Sequence, residues 1–67
     1  MNHIRTIREK RGMTQVELAS RIGVSQPYIH DLELDNRKGR TETWQRIADA
    51  LGCTVGELKD KDELRAT

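Results

Sequence analysis

Apolar residues recur along the chain at spacings of three and four positions, and strict alternation of apolar and polar residues is absent. This spacing is typical of helices that bury one face, so the sequence predicts an all-α fold. Five such segments follow one another. The residues expected on their buried faces are Ile4, Ile7, Leu18, Ala19, Ile22, Ile29, Leu32, Trp44, Ile47, Ala48, Leu51, Val55 and Leu58.

The first two helices have recognisable ends. The first is expected over residues 2–11, closed by Gly12 in a left-handed turn. Thr14 begins the second, because Glu17 follows three positions later and the pair can form a capping box, in which each side chain accepts a hydrogen bond from the other residue's main-chain N–H. Gly23 ends this helix.

The third helix is expected over residues 25–34. Ser25 is a suitable N-cap, and Pro27 fits the first turn, where main-chain N–H groups have no partner within the helix. The stretch 34–40 is too rich in Asn, Asp and Gly for a helix interior, so we expect a polar loop there.

Two further helices complete one small domain. Thr41 begins the fourth, Gly52 closes it, and Thr54 with Glu57 repeats the capping box for a short fifth helix. We therefore expect residues 1–67 to form a single compact five-helix bundle, in which 59–67 is a charged tail that can fray.

The connection between the second and third helices is short. Only Gly23 and Val24 separate the end of one helix from the cap of the next, so the two helices must cross at a steep angle. A close crossing needs a small residue at the contact, which Ala19 supplies, and a corner residue that tolerates positive φ, which Gly23 supplies. Ile29 and Leu32 then fold back onto the core.

This arrangement resembles the Cro/C1-type (XRE) family, typified by the lambda and 434 phage repressors, over about residues 3–58. The resemblance implies a lambda-repressor-like fold with a helix-turn-helix at helices two and three, and binding to a DNA operator, usually as a homodimer. The residues that carry it are Ile4, Ile7-Arg8, Gly12-Met13-Thr14-Gln15, Val16-Glu17-Leu18-Ala19, Ile22-Gly23-Val24-Ser25-Gln26, Ile29, Leu32-Glu33, Ile47-Ala48, Ala50-Leu51-Gly52, Val55 and Glu57-Leu58.

Helix three is then the candidate recognition helix, and such a helix reads base edges mainly with its N-terminal residues. By resemblance Gln26 and Pro27 lie at base-reading positions: an amide can pair with adenine, and Pro27 offers apolar contact to a thymine methyl. Asp31 can accept from cytosine N4, or be neutralised by a neighbouring histidine or arginine. Ser25 is a helix cap and also a candidate groove contact. The candidate base contacts are Ser25, Gln26, Pro27 and Asp31.

Phosphate contacts are expected around this helix. Gln15 lies at the exposed first turn of helix two, where the main-chain N–H groups and the helix dipole favour an anion. Tyr28 lies to the flank, where it either reaches a phosphate or packs. Arg37, Lys38 and Arg40 follow the recognition helix, and serve either DNA binding or solubility.

Arg8 and Glu33 have a different expected role. The resemblance implies that they form an internal ion pair joining helix one to the end of helix three, which would hold the recognition helix in orientation. Arg8 can also lie near a phosphate.

Charge and composition narrow the function classes. The net charge is +1, divided as +3 over residues 1–40 and −2 over 41–67, which is compatible with one basic face. The single Cys53 allows no internal disulfide, and Cys53, His3 and His30 share no ligand-like spacing, so we expect no metal and no cofactor. No catalytic triad, phosphate loop or paired-carboxylate site is visible, so we do not expect an enzyme.

We therefore predict a sequence-specific double-stranded DNA-binding regulator, a repressor and a homodimer. We expect no signal peptide or membrane span, and a cytoplasmic location, on a bacterial nucleoid or encoded by a phage. The alternative is a protein-interaction module of the same fold, antitoxin- or coactivator-like, which suits the low charge and Asp31. RNA binding suits the short side chains of helix three less well. Leu34, Val55 and Leu64 are candidate dimer-interface residues.

Overall fold

A computed structural model describes residues 2–59 of the chain, and the predicted Leu64 contact and the rest of the tail lie outside these residues. The described residues form five α-helices and no strand, which confirms the all-α prediction. The helices are α1 (Ile4–Lys10), α2 (Gln15–Ile22), α3 (Gln26–Glu33), α4 (Thr41–Leu51) and α5 (Val55–Leu58). None of them is long and apolar enough to cross a membrane.

The structure contains the predicted helix caps, each of which joins residues three positions apart. Thr14 accepts a hydrogen bond from the main-chain N–H of Glu17 and completes a capping box at the start of α2. Thr54 and Glu57 do the same at α5. The Ser25 hydroxyl accepts from the main-chain N–H of Tyr28 at 3.3 Å and begins α3.

The first helix begins two residues later than expected. Residues 2–11 were expected to be helical, but α1 begins at Ile4. Asn2 lies before the helix, and its side-chain Oδ1 accepts from the main-chain N–H of Ile4 at 3.1 Å. Asn2 therefore lies outside α1 and acts on the helix start through its side chain.

The core lies where the five helices meet. Ile7 and Val55, expected to be buried, are only half-buried and pack against its edge, whereas Met13 is buried although the periodicity did not select it. The buried apolar residues are Ile4, Met13, Leu18, Ala19, Ile22, Ile29, Leu32, Trp44, Ile47, Ala48, Leu51 and Leu58. The hydrophobic periodicity thus predicted most of the core.

The turn between α2 and α3 orients the candidate site. Gly23 has φ of 75°, in the left-handed region where a side chain is strained, and the next N–H, of Val24, donates to the Ala19 carbonyl at 3.0 Å. Ile29 and Leu32 of α3 are fully buried. The opposite side of α3 therefore faces outward.

Candidate nucleic-acid interface

The outward side of α3 carries the predicted base-reading residues. Ser25 and Pro27 are exposed at its first turn, while Gln26 and Asp31 are half-buried. Three of these four residues thus lie together at the N-terminal end of the helix. Asp31 lies about one turn further along, on the same exposed side as His30.

The Gln26 side chain is held by a hydrogen bond that it donates to α2. Nε2 of Gln26 donates to Oε1 of Gln15 at 2.6 Å. Nε2 of Gln15 in turn donates to Oε1 of Glu33 at 3.0 Å. One N–H of the Gln26 amide remains outside this pair, and its Oε1 accepts no hydrogen bond from the described residues. The amide is therefore oriented by α2 and still has a donor and an acceptor to offer.

Glu33 anchors this chain of hydrogen bonds in the protein interior. Nε of Arg8 donates to its Oε2 at 2.8 Å and Nη2 of Arg8 to its Oε1 at 3.3 Å. The two side chains are only 9% and 4% exposed, and Nη1 of Arg8 also donates to the Met13 carbonyl at 2.8 Å. The ion pair is thus bidentate, shielded from water, and joins α1 to the end of α3.

The connection between this ion pair and Gln26 was missed by sequence reasoning. Gln15 was selected as an exposed phosphate contact, but it is half-buried and both ends of its amide are bonded within the protein. Its side chain positions Gln26, which leaves its main-chain N–H for the predicted anion contact. Arg5, which was not selected, lines the same groove as Gln15 and Gln26.

Basic side chains border the other flank of α3. The Arg37 guanidinium lies 5.2 Å from the centre of the Tyr28 ring, within the range of a cation–π contact. Arg37 and Arg40 line one groove together with Tyr28 and Asp31. The structure thus brings two of the three predicted loop cations beside α3, while Lys38 is exposed in the loop between them.

Asp31 is the acidic exception on this surface. Its Oδ1 lies 3.8 Å from Nδ1 of His30, and both side chains are about half exposed. With Arg37 and Arg40 in the same groove, the carboxylate has cationic neighbours on the loop side. These neighbours reduce the repulsion that a carboxylate would otherwise exert on a phosphate.

Cys53 lies away from this surface, at the corner between α4 and α5. Burial raises the pKa of its thiol above the usual value, the Glu57 carboxylate raises that pKa further, and Arg11 opposes both. Since the thiolate is the reactive form, a raised pKa makes Cys53 a poor nucleophile at neutral pH. Cys53 is half-buried and packs against the edge of the core as a small apolar residue.

Comparison with known proteins places this geometry in a family. A helix-turn-helix family model matches residues 4–58, from the start of α1 to the end of α5. The chain is 34% identical over 61 residues to an immunity repressor protein of Bacillus phage phi105, a match that covers 91% of this chain and 42% of the repressor. It is 38% identical over 52 residues to the uncharacterized HTH-type transcriptional regulator y4dJ of Sinorhizobium fredii, covering 78% of this chain and 68% of that protein.

A third relative and two solved structures agree with these matches. The HTH-type transcriptional regulator DdrOP3 of Deinococcus deserti is 34% identical over 55 residues, covering 82% of this chain and 43% of the regulator. The clp gene regulator ClgR of Corynebacterium glutamicum superposes with a TM-score of 0.77 at 31% identity, covering 81% of this chain and 57% of ClgR. The hypothetical transcription factor NHTF from Neisseria superposes with a TM-score of 0.77 at 25% identity, covering 94% of this chain and 73% of NHTF. The chain thus spans less than half of the phage repressor and of DdrOP3.

Proposed function

Because the chain belongs to the Cro/C1-type (XRE) family of helix-turn-helix DNA-binding transcriptional regulators, we propose that it binds a double-stranded operator sequence-specifically and represses transcription. In this proposal α3 enters the major groove with its N-terminal end toward the bases. The three relatives named above are longer than this chain, so DNA binding is inferred for it from the site, and repression from its similarity to the phage repressor. DNA binding also implies a location with the DNA, in a bacterial cytoplasm.

The observation that carries the proposal is the orientation of the Gln26 amide by Gln15. An amide that offers one N–H and one carbonyl oxygen matches the N7 acceptor and the N6 donor of adenine in the major groove. Because Gln15 holds one N–H of Gln26, the side chain loses little rotational freedom on binding DNA. Gln26 is therefore the proposed base reader, with Ser25, Pro27 and Asp31 as its neighbours at the bases.

Phosphate contacts fit the flanks of this helix. The main-chain N–H of Gln15 lies at the positive end of the α2 dipole. On the other side, Arg37 stacks on Tyr28, so its guanidinium charge is held beside α3. These contacts would position the protein on the duplex without reading sequence. The proposed phosphate contacts are Gln15, Tyr28, Arg37, Lys38 and Arg40.

One observation favours a second candidate function. Asp31 is a half-exposed acid in the middle of the proposed recognition surface, and the net charge is only +1. A protein-interaction module of the same fold, as in antitoxins and coactivators, would tolerate this acid better than a DNA-binding surface does. The two functions differ in how binding responds to salt.

A selection experiment tests the proposal. The full chain is mixed with a pool of random-sequence duplex DNA, bound duplexes are enriched over several rounds, and duplex RNA of equal length is the competitor. We expect one enriched sequence family, little competition by RNA, and log K falling linearly with log salt concentration, with a slope for roughly 4–8 phosphate contacts per dimer. A folded protein that enriches no sequence, and whose weak binding is flat in salt, would support the protein-interaction module instead.

A further inference from the structure

The end of α3 differs from the other helix ends of similar form. Asn36 N–H donates to the Asp31 carbonyl at 2.9 Å and Asp35 N–H to the Leu32 carbonyl at 3.2 Å, which is the pair of bonds of a Schellman motif. The residue that must adopt the left-handed conformation is Asp35, with φ of 59°. The corresponding residues after α1, α2 and α4 are glycines, with φ of 67°, 75° and 70°.

Asp35 is the one non-glycine residue with positive φ among the described residues. A side chain in this conformation is strained relative to glycine, although aspartate tolerates it better than most. Such a conformation persists only where the surrounding structure holds it in place, and it tends to occur at functional sites. The side chain of Asp35 should therefore do something that glycine cannot.

Asn2 provides the contact. Its Nδ2 donates to Oδ1 of Asp35 at 2.8 Å and to the main-chain carbonyl of Leu32 at 2.6 Å. Its Oδ1 accepts a hydrogen bond from the main-chain N–H of Ile4. The main-chain N–H of His3, between these two residues, donates to the Leu58 carbonyl at 2.7 Å. One amide thus joins the start of α1 to the end of α3, and the backbone beside it is fixed to α5. We call Asn2, Asp35 and the Leu32 carbonyl the Asn2 clamp.

The position of the Asn2 clamp gives it a consequence for the basic loop. Residues 36–40 leave α3 directly after Asp35, so the dihedral angles of Asp35 set the direction in which Arg37, Lys38 and Arg40 depart. Ser25 and Gln15 hold the other end of α3, and Arg8 holds its last turn. The Asn2 clamp holds the exit of the chain through the Asp35 side chain, beside the main-chain bond from Asn36 to Asp31.

We propose that Asn2 is a positioning residue for DNA binding: through Asp35 it holds the loop of residues 36–40 so that its basic side chains meet the DNA backbone. This inference rests on the proposed function. A purely structural role would be narrower, because Asn2 would then only cap α1 through Ile4.

Substitutions whose charge changes are matched separate the two roles. Asn2→Ser keeps a side-chain oxygen for the Ile4 N–H but is too short to bridge to α3. Asp35→Gly relieves the positive φ and deletes the acceptor, whereas Asp35→Asn has the same charge as Asp35→Gly and keeps both an acceptor and a residue suited to this conformation. His3→Ala removes an exposed side chain and leaves the neighbouring main-chain bond, so it is the control for changes near the N-terminus.

The measurement is the salt dependence of binding by the full chain to the duplex selected by the unsubstituted protein, at a temperature where circular dichroism shows each variant folded. We expect Asn2→Ser and Asp35→Gly to flatten the slope by about one phosphate contact per chain, roughly 0.9, with about five- to tenfold weaker binding. Asp35→Gly should do so while unfolding at the same temperature as the unsubstituted chain or a higher one. Asp35→Asn and His3→Ala should keep the slope.

Two outcomes would overturn the proposal, and they are distinguishable. If Asn2→Ser and Asp35→Gly bind with the unsubstituted slope and affinity, Asn2 only caps α1. If Asp35→Gly and Asp35→Asn change the slope equally, the loss of negative charge explains the effect and the hydrogen bond does not. Failure of the unsubstituted chain to bind any duplex would instead overturn the proposed function, and the role of the Asn2 clamp with it.

Discussion

At the scale of single residues, sequence readout is expected to depend on Gln26. Gln26→Ala should weaken binding to the selected duplex by roughly 1–3 kcal/mol, because it removes one bidentate base contact. Non-specific binding and thermal stability should change little, since the side chain is half-buried at the helix start and bonds only to Gln15 among the described residues. Competition titrations with the selected duplex and with a scrambled one measure the two affinities.

Lys38→Ala is the matched control for this prediction. Lys38 is exposed in the loop, so its removal should weaken binding to all sequences about equally and flatten the salt slope by about one contact. Equal effects of Gln26→Ala and Lys38→Ala on the ratio of specific to non-specific affinity would mean that Gln26 does not read a base.

The buried ion pair between Arg8 and Glu33 should couple strongly. Removing one partner leaves a charge without compensation at side chains that are 9% and 4% exposed, which commonly costs about 3–5 kcal/mol. Since Gln15 also bonds to Glu33, Glu33→Ala should loosen Gln26 as well. A double-mutant cycle measured by thermal unfolding gives the coupling energy.

The Arg5–Glu9 pair provides the comparison on the same helix. Its atoms lie 3.6 Å apart, but the side chains are 71% and 58% exposed, so solvent screens the attraction. Exposed pairs at this spacing couple by about 0.3–0.5 kcal/mol. A coupling for Arg8 with Glu33 as small as that of the surface pair would remove the argument that the buried pair orients α3.

At the scale of helices and loops, the predictable features were those determined within one turn. Thr14, Ser25 and Thr54 were identified as caps because each side chain contacts an N–H three positions later. The hydrogen bond of Gln15 to Glu33 and the bridge made by Asn2 could not be predicted, because they join residues 18 and 30 or more positions apart. Such contacts depend on how the helices cross, which periodicity does not specify.

The loop before α4 also contains a requirement that the sequence did not reveal. Gly39 was interpreted only as a sign of a loop, but a Cβ at this position would lie 3.0 Å from Nε1 of Trp44 and 3.1 Å from Cδ2 of Leu32. Both neighbours are buried and cannot move away easily. The close approach of the loop to the core therefore depends on the missing side chain.

Gly39→Ala should accordingly destabilise the fold by about 1–3 kcal/mol, the usual cost of overpacking a filled site. Gly56→Ala is the control, because the nearest atom to a Cβ there would be Oγ1 of Thr54 at 3.8 Å, an ordinary contact. Alanine within α5 should raise the free energy of unfolding by about 0.5–1 kcal/mol. Unfolding in urea measures both. Equal stability of Gly39→Ala and the unsubstituted chain would show that the Trp44 ring can shift without cost.

At the scale of the whole molecule, size limits what one copy can recognise. The described part of the chain offers one proposed recognition helix, α3, whose proposed base contacts lie within about two turns. Each mismatched base pair costs about 1–3 kcal/mol, so three or four contacts discriminate too weakly to select one site among a genome's competing sites. A second copy on a symmetry-related half-site would double the contacts.

We therefore expect the functional unit to be a homodimer on an operator with two-fold symmetry, whose half-sites lie about one helical turn, ~34 Å, apart. Leu34, 55% exposed at the end of α3, and the half-buried Val55 are the expected interface residues that lie among the described ones. A surface this small suggests a dimer that forms mainly on DNA, so a monomer in free solution is compatible with the prediction.

Footprinting on the selected duplex, with titration to saturation, should give two protected half-sites and two chains per duplex. Leu34→Ser should lower the cooperativity between half-sites while leaving affinity for an isolated half-site unchanged. One protected half-site with one chain bound at saturation would show that a single copy suffices, and the specificity would then have to come from contacts beyond α3.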